Sequence, residues 1–522
     1  MFSAMTVPSL PRCPLAALSG AVLGALLGLP LLHYCYGFDQ GVYGTIAEVM
    51  RRGGLPYRDA WEMRPPGVFY AYGAAFALLG QSPLSLRIFD LLSLALSSSA
   101  LAVISTRRFG SVTAGMIAAL ALPLLYVPFG YWHTAQSESF QMPFILWGLA
   151  LWPVPDGTTR TALYCFAAGV LLGISGLFKT SSIFIPLAVL LDRVRIDWKA
   201  PTVAGRLRLA GLTAVALAMP TLLVFTYYAA RGVLPEMTRA LFVFAPEYAR
   251  ASWQDPILPA LDRARELLFD LLSLPALLLA GCGLARALAC RRAEALRWAV
   301  FSIGAALSIV LQMKFLQYHY VAFLPFIALW MGLAAIEPRA PSRGGLLNVV
   351  SLLLAAALAG AFLHRSRVRL GPEWRELARP AAERRPECDR AFPPGRECPS
   401  HDAARAIRAR TGPEDAIFIW GNDPKLYLLA DRPQAGAYSY IIPVTVPWAG
   451  RETVHDLVER LRHERPRLII TVRNDAVEAI VRRPEDSEGL LDVFPEMRDF
   501  IQTRYREVEN LGRHRLWARS GS

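Results

Sequence analysis

Asp39 stands directly after an apolar run, in Phe38-Asp39-Gln40-Gly41-Val42-Tyr43, and twenty residues further on the chain reads Asp59-Ala60-Trp61-Glu62-Met63-Arg64-Pro65-Pro66-Gly67. A carboxylate such as Asp39 or Glu62 can take a proton from an attacking hydroxyl or amine, which is worth about 10² to 10⁴ in rate. Arg64 carries a planar fork matched to phosphate oxygens. Pro65 and Pro66 restrict the backbone around it and set the start of a following helix. Tyr43, Tyr57, Trp61 and Tyr70 suit two roles, stacking on a sugar ring or anchoring the segment at a lipid interface. Asp39 also reads as a helix cap at a membrane boundary, although an acid so close to a span is more often functional.

A second acid, Glu138, lies in His133-Thr134-Ala135-Gln136-Ser137-Glu138-Ser139-Phe140. An acid in the first turn of a helix is favourable in its own right, so a capping role stays open for it. Lys179 follows Gly176-Leu177-Phe178, and Lys314 precedes Tyr318, His319 and Tyr320. Snorkelling explains each lysine singly. Two acids and three cations on one side of a membrane predict a site for a phosphate-bearing substrate.

The elements that position these residues are membrane spans. The chain has 522 residues, of which 54% are hydrophobic and only 19% charged. Its mean hydropathy is +0.33, too apolar for a soluble protein of this length. About 20 apolar residues cross a hydrocarbon core. Such runs begin at Pro14 to Cys35 and recur at 84–105, 112–129, 138–153, 161–177, 181–192, 209–229, 266–285, 298–312, 319–335 and 345–363, eleven in all. The first has only Arg12 before it and no small-x-small cleavage site, so it is read as a retained helix and not a signal peptide. The expected organisation is a transmembrane domain, residues 1–363, with a first outer loop at 37–83, followed by a soluble α/β domain at 364–522.

Arginines crowd the short loops at Arg107 and Arg108; Arg193, Arg195, Lys199, Arg206 and Arg208; Arg286, Arg291, Arg292 and Arg297; and Arg339 and Arg343. With the N-terminus inside, all of these loops are cytoplasmic, as the positive-inside rule asks. The first outer loop and the C-terminal domain then lie outside the cytoplasmic membrane. The net charge is +13, but the basic residues form no stripe, which argues against nucleic acid as a partner.

Cys388 and Cys398 are the cysteines of the soluble domain. On an oxidising side they predict a disulfide. A zinc pair is disfavoured because no second Cys or His pair has matching spacing. In the same domain Ala416-Ile417-Phe418-Ile419-Trp420 and Arg467-Leu468-Ile469-Ile470-Thr471-Val472 read as strands separated by a helix from Glu452 to His463. Between them Trp420-Gly421-Asn422-Asp423-Pro424-Lys425-Leu426-Tyr427 is either a binding turn at a strand end or a plain turn with an Asn422 or Asp423 cap. Tyr505 to Arg519 is expected to add a closing strand pair.

Asp39-Gln40-Gly41-Val42-Tyr43, Arg64-Pro65-Pro66-Gly67, Ser137-Glu138, Phe178-Lys179 and His319-Tyr320 with Pro325 occur in the order found in bacterial relatives of protein O-mannosyltransferases and lipid A aminoarabinose transferases. The Trp420 to Tyr427 pattern, followed by Asp431-Arg432-Pro433, is similar to the tail of this group. These are GT-C glycosyltransferases that use polyprenyl-phosphate-linked sugars. The resemblance implies that Asp39 is the catalytic base or a key acceptor-orienting carboxylate and that Arg64 and Lys179 hold the donor phosphate, with Glu138 a further catalytic candidate and Lys314 a further candidate at the donor phosphate. Tyr43, Asp59, Glu62, His319 and Tyr320 are the expected substrate contacts. Gln40 stands where the family usually has Glu, which argues against a metal held by that dipeptide. A divalent cation elsewhere is the one cofactor left open. Arg64 replaces the usual lysine, keeping charge and changing geometry.

The expected activity is inverting sugar transfer from a polyprenyl-phosphate donor to a lipid, glycan or protein acceptor. Two other readings are a transporter or flippase of lipid-linked saccharides and a membrane-anchored binding module. Transporters call for paired repeats and broken helices at mid-membrane depth, whereas the ionisable residues here cluster at one face. The sequence leaves open the sugar, the acceptor, any metal requirement and the oligomeric state.

Overall fold

The computed structural model describes residues 12–152, 159–194, 202–254, 256–336, 345–380, 383–385, 387–390 and 398–520. Hydrocarbon offers backbone groups no partner, so apolar runs of this length satisfy themselves as helices, and the predicted runs lie largely on helix, with 266–285 interrupted by a turn at Leu272 and Ser273. Among the described residues five helices are long and apolar enough to cross a membrane: Cys13–His33, Pro83–Phe109, Val112–His133, Val203–Ala230 and Leu274–Val310. Gly67–Leu79, Arg160–Gly176, Thr180–Asp192 and Leu324–Leu333 are shorter apolar helices. The protein is a multi-pass membrane protein.

The runs at 266–285 and 298–312 are expected as two helices with a basic segment between, and Leu274–Val310, which carries most of both, is two helices meeting at a kink within that segment. The element is broken at Arg291, where φ is −148° and ψ is 50°. Arg286 on it donates to the Ile336 carbonyl at 2.8 Å, a basic side chain satisfying an orphan helix-end acceptor. Of the other expected basic loops, Arg195, Lys199, Arg339 and Arg343 lie outside the described residues.

The chain divides into two compact units. The first comprises Met1–His33, Arg87–Thr226 and Ser252–Arg384. Its helices meet through small residues: a Cβ on Gly283 would stand 1.7 Å from the Trp330 carbonyl oxygen, so only glycine allows this approach. The expected domain boundary falls inside the helix Gly345–Ala378.

The second unit comprises Tyr34–Leu86, Tyr227–Ala251 and Arg385–Ser522. Segment 37–83, expected as a loop, contains two packed helices, Phe38–Arg51 and Gly67–Leu79. The first is buried on all sides from Asp39 to Glu48, with an apolar stripe at Val42, Tyr43, Ile46 and Ala47. That stripe is interrupted by Gln40, Gly41, Gly44 and Thr45, and hydropathy alone passes over it.

In the same unit β1 (Ile417–Trp420), β2 (Leu468–Val472), β3 (Tyr505–Asn510) and β4 (His514–Arg519) form one sheet in the order β1-β2-β4-β3. β1 and β2 pair in parallel, Ile417 opposite Leu468, with the helix Arg451–Glu464 lying between them in sequence. β4 pairs antiparallel with β2 and with β3. β1 and β2 are buried along their whole length, which matches their unbroken apolar runs. Ile407, Ile419, Leu426, Ile470 and Leu516 form the core.

Candidate active site

Asp39 lies in the first turn of Phe38–Arg51, whose N-cap is Gly37 with no side-chain capping bond. The capping reading of Asp39 is therefore set aside; its carboxylate faces Arg64, with Oδ1 3.3 Å from Nη2. The other arm of the guanidinium, Nη1, lies 3.3 Å from Glu62 Oε1. The guanidinium carbon is 5.3 Å from the centre of the Tyr43 ring, a cation–π arrangement. Tyr57 fixes the same turn by donating its hydroxyl to the Arg64 carbonyl at 2.9 Å.

Glu62 is fully buried and accepts the Tyr440 hydroxyl at 3.0 Å and the Met63 N–H at 2.9 Å. Burial pushes its carboxyl above the usual range; Arg64 pulls the other way without cancelling the effect. One guanidinium thus serves two acids. Asp39 keeps 7% of its surface and Glu62 none.

Tyr43 is wholly buried in an aromatic group, with its ring centroid 5.6 Å from that of Tyr72 and 6.1 Å from that of Phe69. Asp59 accepts the Leu55 N–H at 2.8 Å and pairs with Arg58 at 2.8 Å. It also lines a cavity of ≈ 250 Å³ together with Glu48, Arg52, Gln434 and Arg460. Tyr440 was not among the expected site residues. It is far away in sequence and its neighbours are apolar, so only the tertiary fold brings it to Glu62.

The helix Lys425–Ala430 packs on Phe38–Arg51. A Cβ on Gly41 would lie 2.5 Å from the Lys425 backbone nitrogen, so this glycine sets how closely the helix bearing Asp39 approaches. The turn ahead of Lys425 is not an Asp cap: Pro424 is the N-cap and no side chain caps it. Asp423 instead accepts Ser400 Oγ at 2.7 Å, meets His514 Nε2 at 3.0 Å and pairs with Lys425 Nζ at 3.0 Å. Burial alone would raise the Asp423 carboxyl, but the Lys425 charge and the bonds from His514 and Ser400 outweigh it and hold the group far below the ordinary range.

A depressed carboxyl contributes stability that is fully present above its unfolded value of about 3.9 and fades as pH falls toward the folded value. Glu62, raised by folding, has the opposite sign: its penalty at neutral pH is relieved on acidification. Asp423→Asn is expected to cost about 3–5 kcal/mol at pH 7, because it leaves the buried Lys425 ammonium without its counter-charge. It should also flatten the loss of thermal stability between about pH 5 and pH 3. Melting curves in detergent across that range check both. An unchanged acid limb in the variant would mean that Asp423 is not the titrating group.

In the first unit Glu138 occupies the first turn of Ser137–Leu151, but the N-cap is Gln136, locked reciprocally with Ser139. Glu138 is 2% exposed and accepts a short hydrogen bond from Lys179 Nζ. That ammonium also lies 5.6 Å from the centre of the Tyr318 ring. Ser182 Oγ donates to Gln141 Oε1 at 3.1 Å, which ties the turn after Lys179 to the Glu138 helix. Tyr318 stacks on His133 at 6.2 Å and meets His319 edge-on at 4.7 Å. Glu138, Lys179 and His319 therefore gather around Tyr318.

Tyr320 is buried in the turn Gln317–Ala322. Lys314 stands between Met313 and Phe315, which hold left-handed backbone at φ 50° and 45°. Such conformations persist only where the surroundings impose them.

A second group was not anticipated from sequence. Arg87 and Asp90 are both fully buried and 3.6 Å apart. Tyr126 donates to Asp90 at 2.6 Å, and Arg87 to Thr134 Oγ1 at 2.9 Å and the Tyr131 carbonyl at 2.9 Å. This network braces the segment that leads into Glu138. Its signal in the sequence is an i, i+3 pair of opposite charges inside an apolar run.

Cys388 and Cys398, expected as a bridge, are free thiols in the structure, as is Cys35. The Cys388 N–H points instead to Cys35 Sγ at 3.2 Å, and Cys398 Sγ lies 3.7 Å from Ser400 Oγ. The two side chains are thus engaged with different neighbours.

Residues 63–228 match the dolichyl-phosphate-mannose-protein mannosyltransferase family. The matched stretch holds Arg64, Glu138 and Lys179. Among solved structures, ArnT from Cupriavidus metallidurans bound to undecaprenyl phosphate superposes with a TM-score of 0.62 at 16% identity, over 98% of both chains. The chain shares the fold of ArnT. Apo ArnT gives 0.61 at 15% identity, over 97% of this chain and 98% of ArnT. The arabinofuranosyltransferase AftD from Mycobacteria gives 0.52 at 16% identity, over 98% of this chain and 40% of AftD. No curated protein matches in sequence. At these identities the likeness is one of fold.

Proposed function

We propose that this protein is a glycosyltransferase of the cytoplasmic membrane that moves a hexosyl or pentosyl group from a polyprenyl-phosphate carrier to an acceptor at the outer face. The observation that carries this reading is the Asp39 carboxylate, held by Arg64 at 3.3 Å in the first turn of a helix and still partly accessible. In a single inverting displacement the acceptor oxygen or nitrogen bonds to the anomeric carbon. The bond from that carbon to the phosphate oxygen breaks, the acceptor proton passes to Asp39, and polyprenyl phosphate departs with the bonding electrons. Lys179 and Lys314 are assigned to the negative charge that develops on the leaving phosphate. Arg64, already shared between two carboxylates, is assigned to orienting Asp39.

ArnT, which shares the fold, has been solved with undecaprenyl phosphate bound, and a lipid-borne donor is what a multi-pass protein with charged residues at helix ends would need. The assay is release of free polyprenyl phosphate from an undecaprenyl-phosphate-linked sugar when acceptors are supplied to the purified protein: lipid A, a hydroxyl-rich peptide or a glycan. Release that depends on one acceptor is the expected result. Movement of intact lipid-linked sugar across vesicles without any release would instead make the protein a flippase.

A further inference from the structure

We infer that Cys35 and Cys388 are joined by a disulfide in the mature protein, tying the segment before the Asp39 helix to the segment before the sheet domain. The two residues are 353 positions apart in sequence, yet the Cys388 N–H lies 3.2 Å from Cys35 Sγ. Both are buried, at 8% and 6% exposure. Contact of this kind puts the side chains within the few ångströms that a disulfide spans. Cys398, by contrast, is engaged with Ser400 through its sulfur and with Asp389 through its N–H at 2.8 Å.

Cys388, Asp389 and His401 also bring potential metal ligands within 4.8 Å of one another. Asp389 and His401 face each other at 3.3 Å, however, and Cys35 is outside that group, so only three ligands converge. A bridge uses the contact that is present without requiring a fourth.

Bridge formation is thiol–disulfide exchange with an oxidant of the protein-disulfide class. One thiolate attacks the oxidant's sulfur, the second displaces the mixed disulfide, and the oxidant leaves as a dithiol carrying both protons. The hydrogen bond to Cys35 and then burial raise the Cys388 thiol well above its ordinary range, so exchange is favoured while the domain is still open. The inference rests on the extracytoplasmic placement proposed above, since such bonds persist on the oxidising side.

The test is peptide mapping of the full-length protein, taken from membranes with excess N-ethylmaleimide and digested without reductant. The expected result is a Cys35–Cys388 linked peptide, with Cys398 alkylated. Cys398→Ser should leave the linked peptide intact, and Cys35→Ser should make Cys388 alkylatable without reductant. Alkylation of both Cys35 and Cys388 in the unreduced wild type would overturn the inference, as would a Cys388–Cys398 linkage. Thiols released by a chelator and not by reductant would overturn it in favour of metal. Labelling of Cys398 by a membrane-impermeant maleimide in spheroplasts reads the orientation separately, and phosphate release reads the activity. A missing bridge with Cys398 labelled therefore counts against the bridge alone.

Discussion

Asp39→Asn should slow sugar transfer by a factor of about 10² to 10⁴ while leaving the fold in place, the range expected when a positioned general base is lost. Asparagine keeps the size of the side chain and can still accept a hydrogen bond from Arg64, so the approach of the two residues, now 3.3 Å apart, survives without the charge. What disappears is the basic oxygen. Glu62 cannot substitute, because it has no exposed surface and both of its oxygens are engaged. The rate should fall in kcat, with the KM for the donor little changed, since the donor phosphate is assigned to other residues. Comparing kcat and KM with the melting temperature of the same preparation separates a chemical role from a structural one. A variant that transfers sugar as fast as wild type removes Asp39 from the mechanism. A slow variant that also melts early would make Asp39 a structural partner of Arg64.

Lys179→Met should be the most damaging single change at the Glu138 pair. It leaves a carboxylate that is 2% exposed without its cation, and breaking one side of a buried pair costs about 3–5 kcal/mol. The double variant Glu138→Gln with Lys179→Met removes both charges, so most of the lost stability should return. Transfer should not return with it if the ammonium serves the departing phosphate. Thermal melts and single-turnover donor cleavage on the two single variants and the double variant complete the cycle. Recovery of activity along with stability would show that the pair is only structural.

The family resemblance and the helical architecture were legible because they depend on local properties. Apolar runs such as 84–105 and 209–229 must form helices in lipid, whatever surrounds them. The strands at Ile417 and Leu468 were legible for a similar reason: β-branched runs bounded by turn residues are a short-range signal. The ordered motifs around Asp39, Arg64, Glu138 and Lys179 marked where the chemistry is expected, since ionisable side chains beside spans are costly unless they are used.

Pairing was not legible. Nothing in the sequence indicates that Glu138 receives Lys179, that Tyr440 donates to Glu62, or that Asp423 anchors Ser400, Lys425 and His514. Asp423 and Glu138 each have a local explanation as a helix cap, and in both cases the cap position belongs to a neighbouring residue. The cysteines teach the same point: proximity in sequence favoured Cys388 with Cys398, and the fold brought Cys388 to Cys35. By itself the sequence determined the apolar helices and the strands of the sheet, though not the helices within 37–83, and which side chains are available for acid–base and phosphate chemistry. Only the tertiary structure decided which of them meet, because a hydrogen bond or ion pair is set by distances of a few ångströms between elements whose separation along the chain is unconstrained.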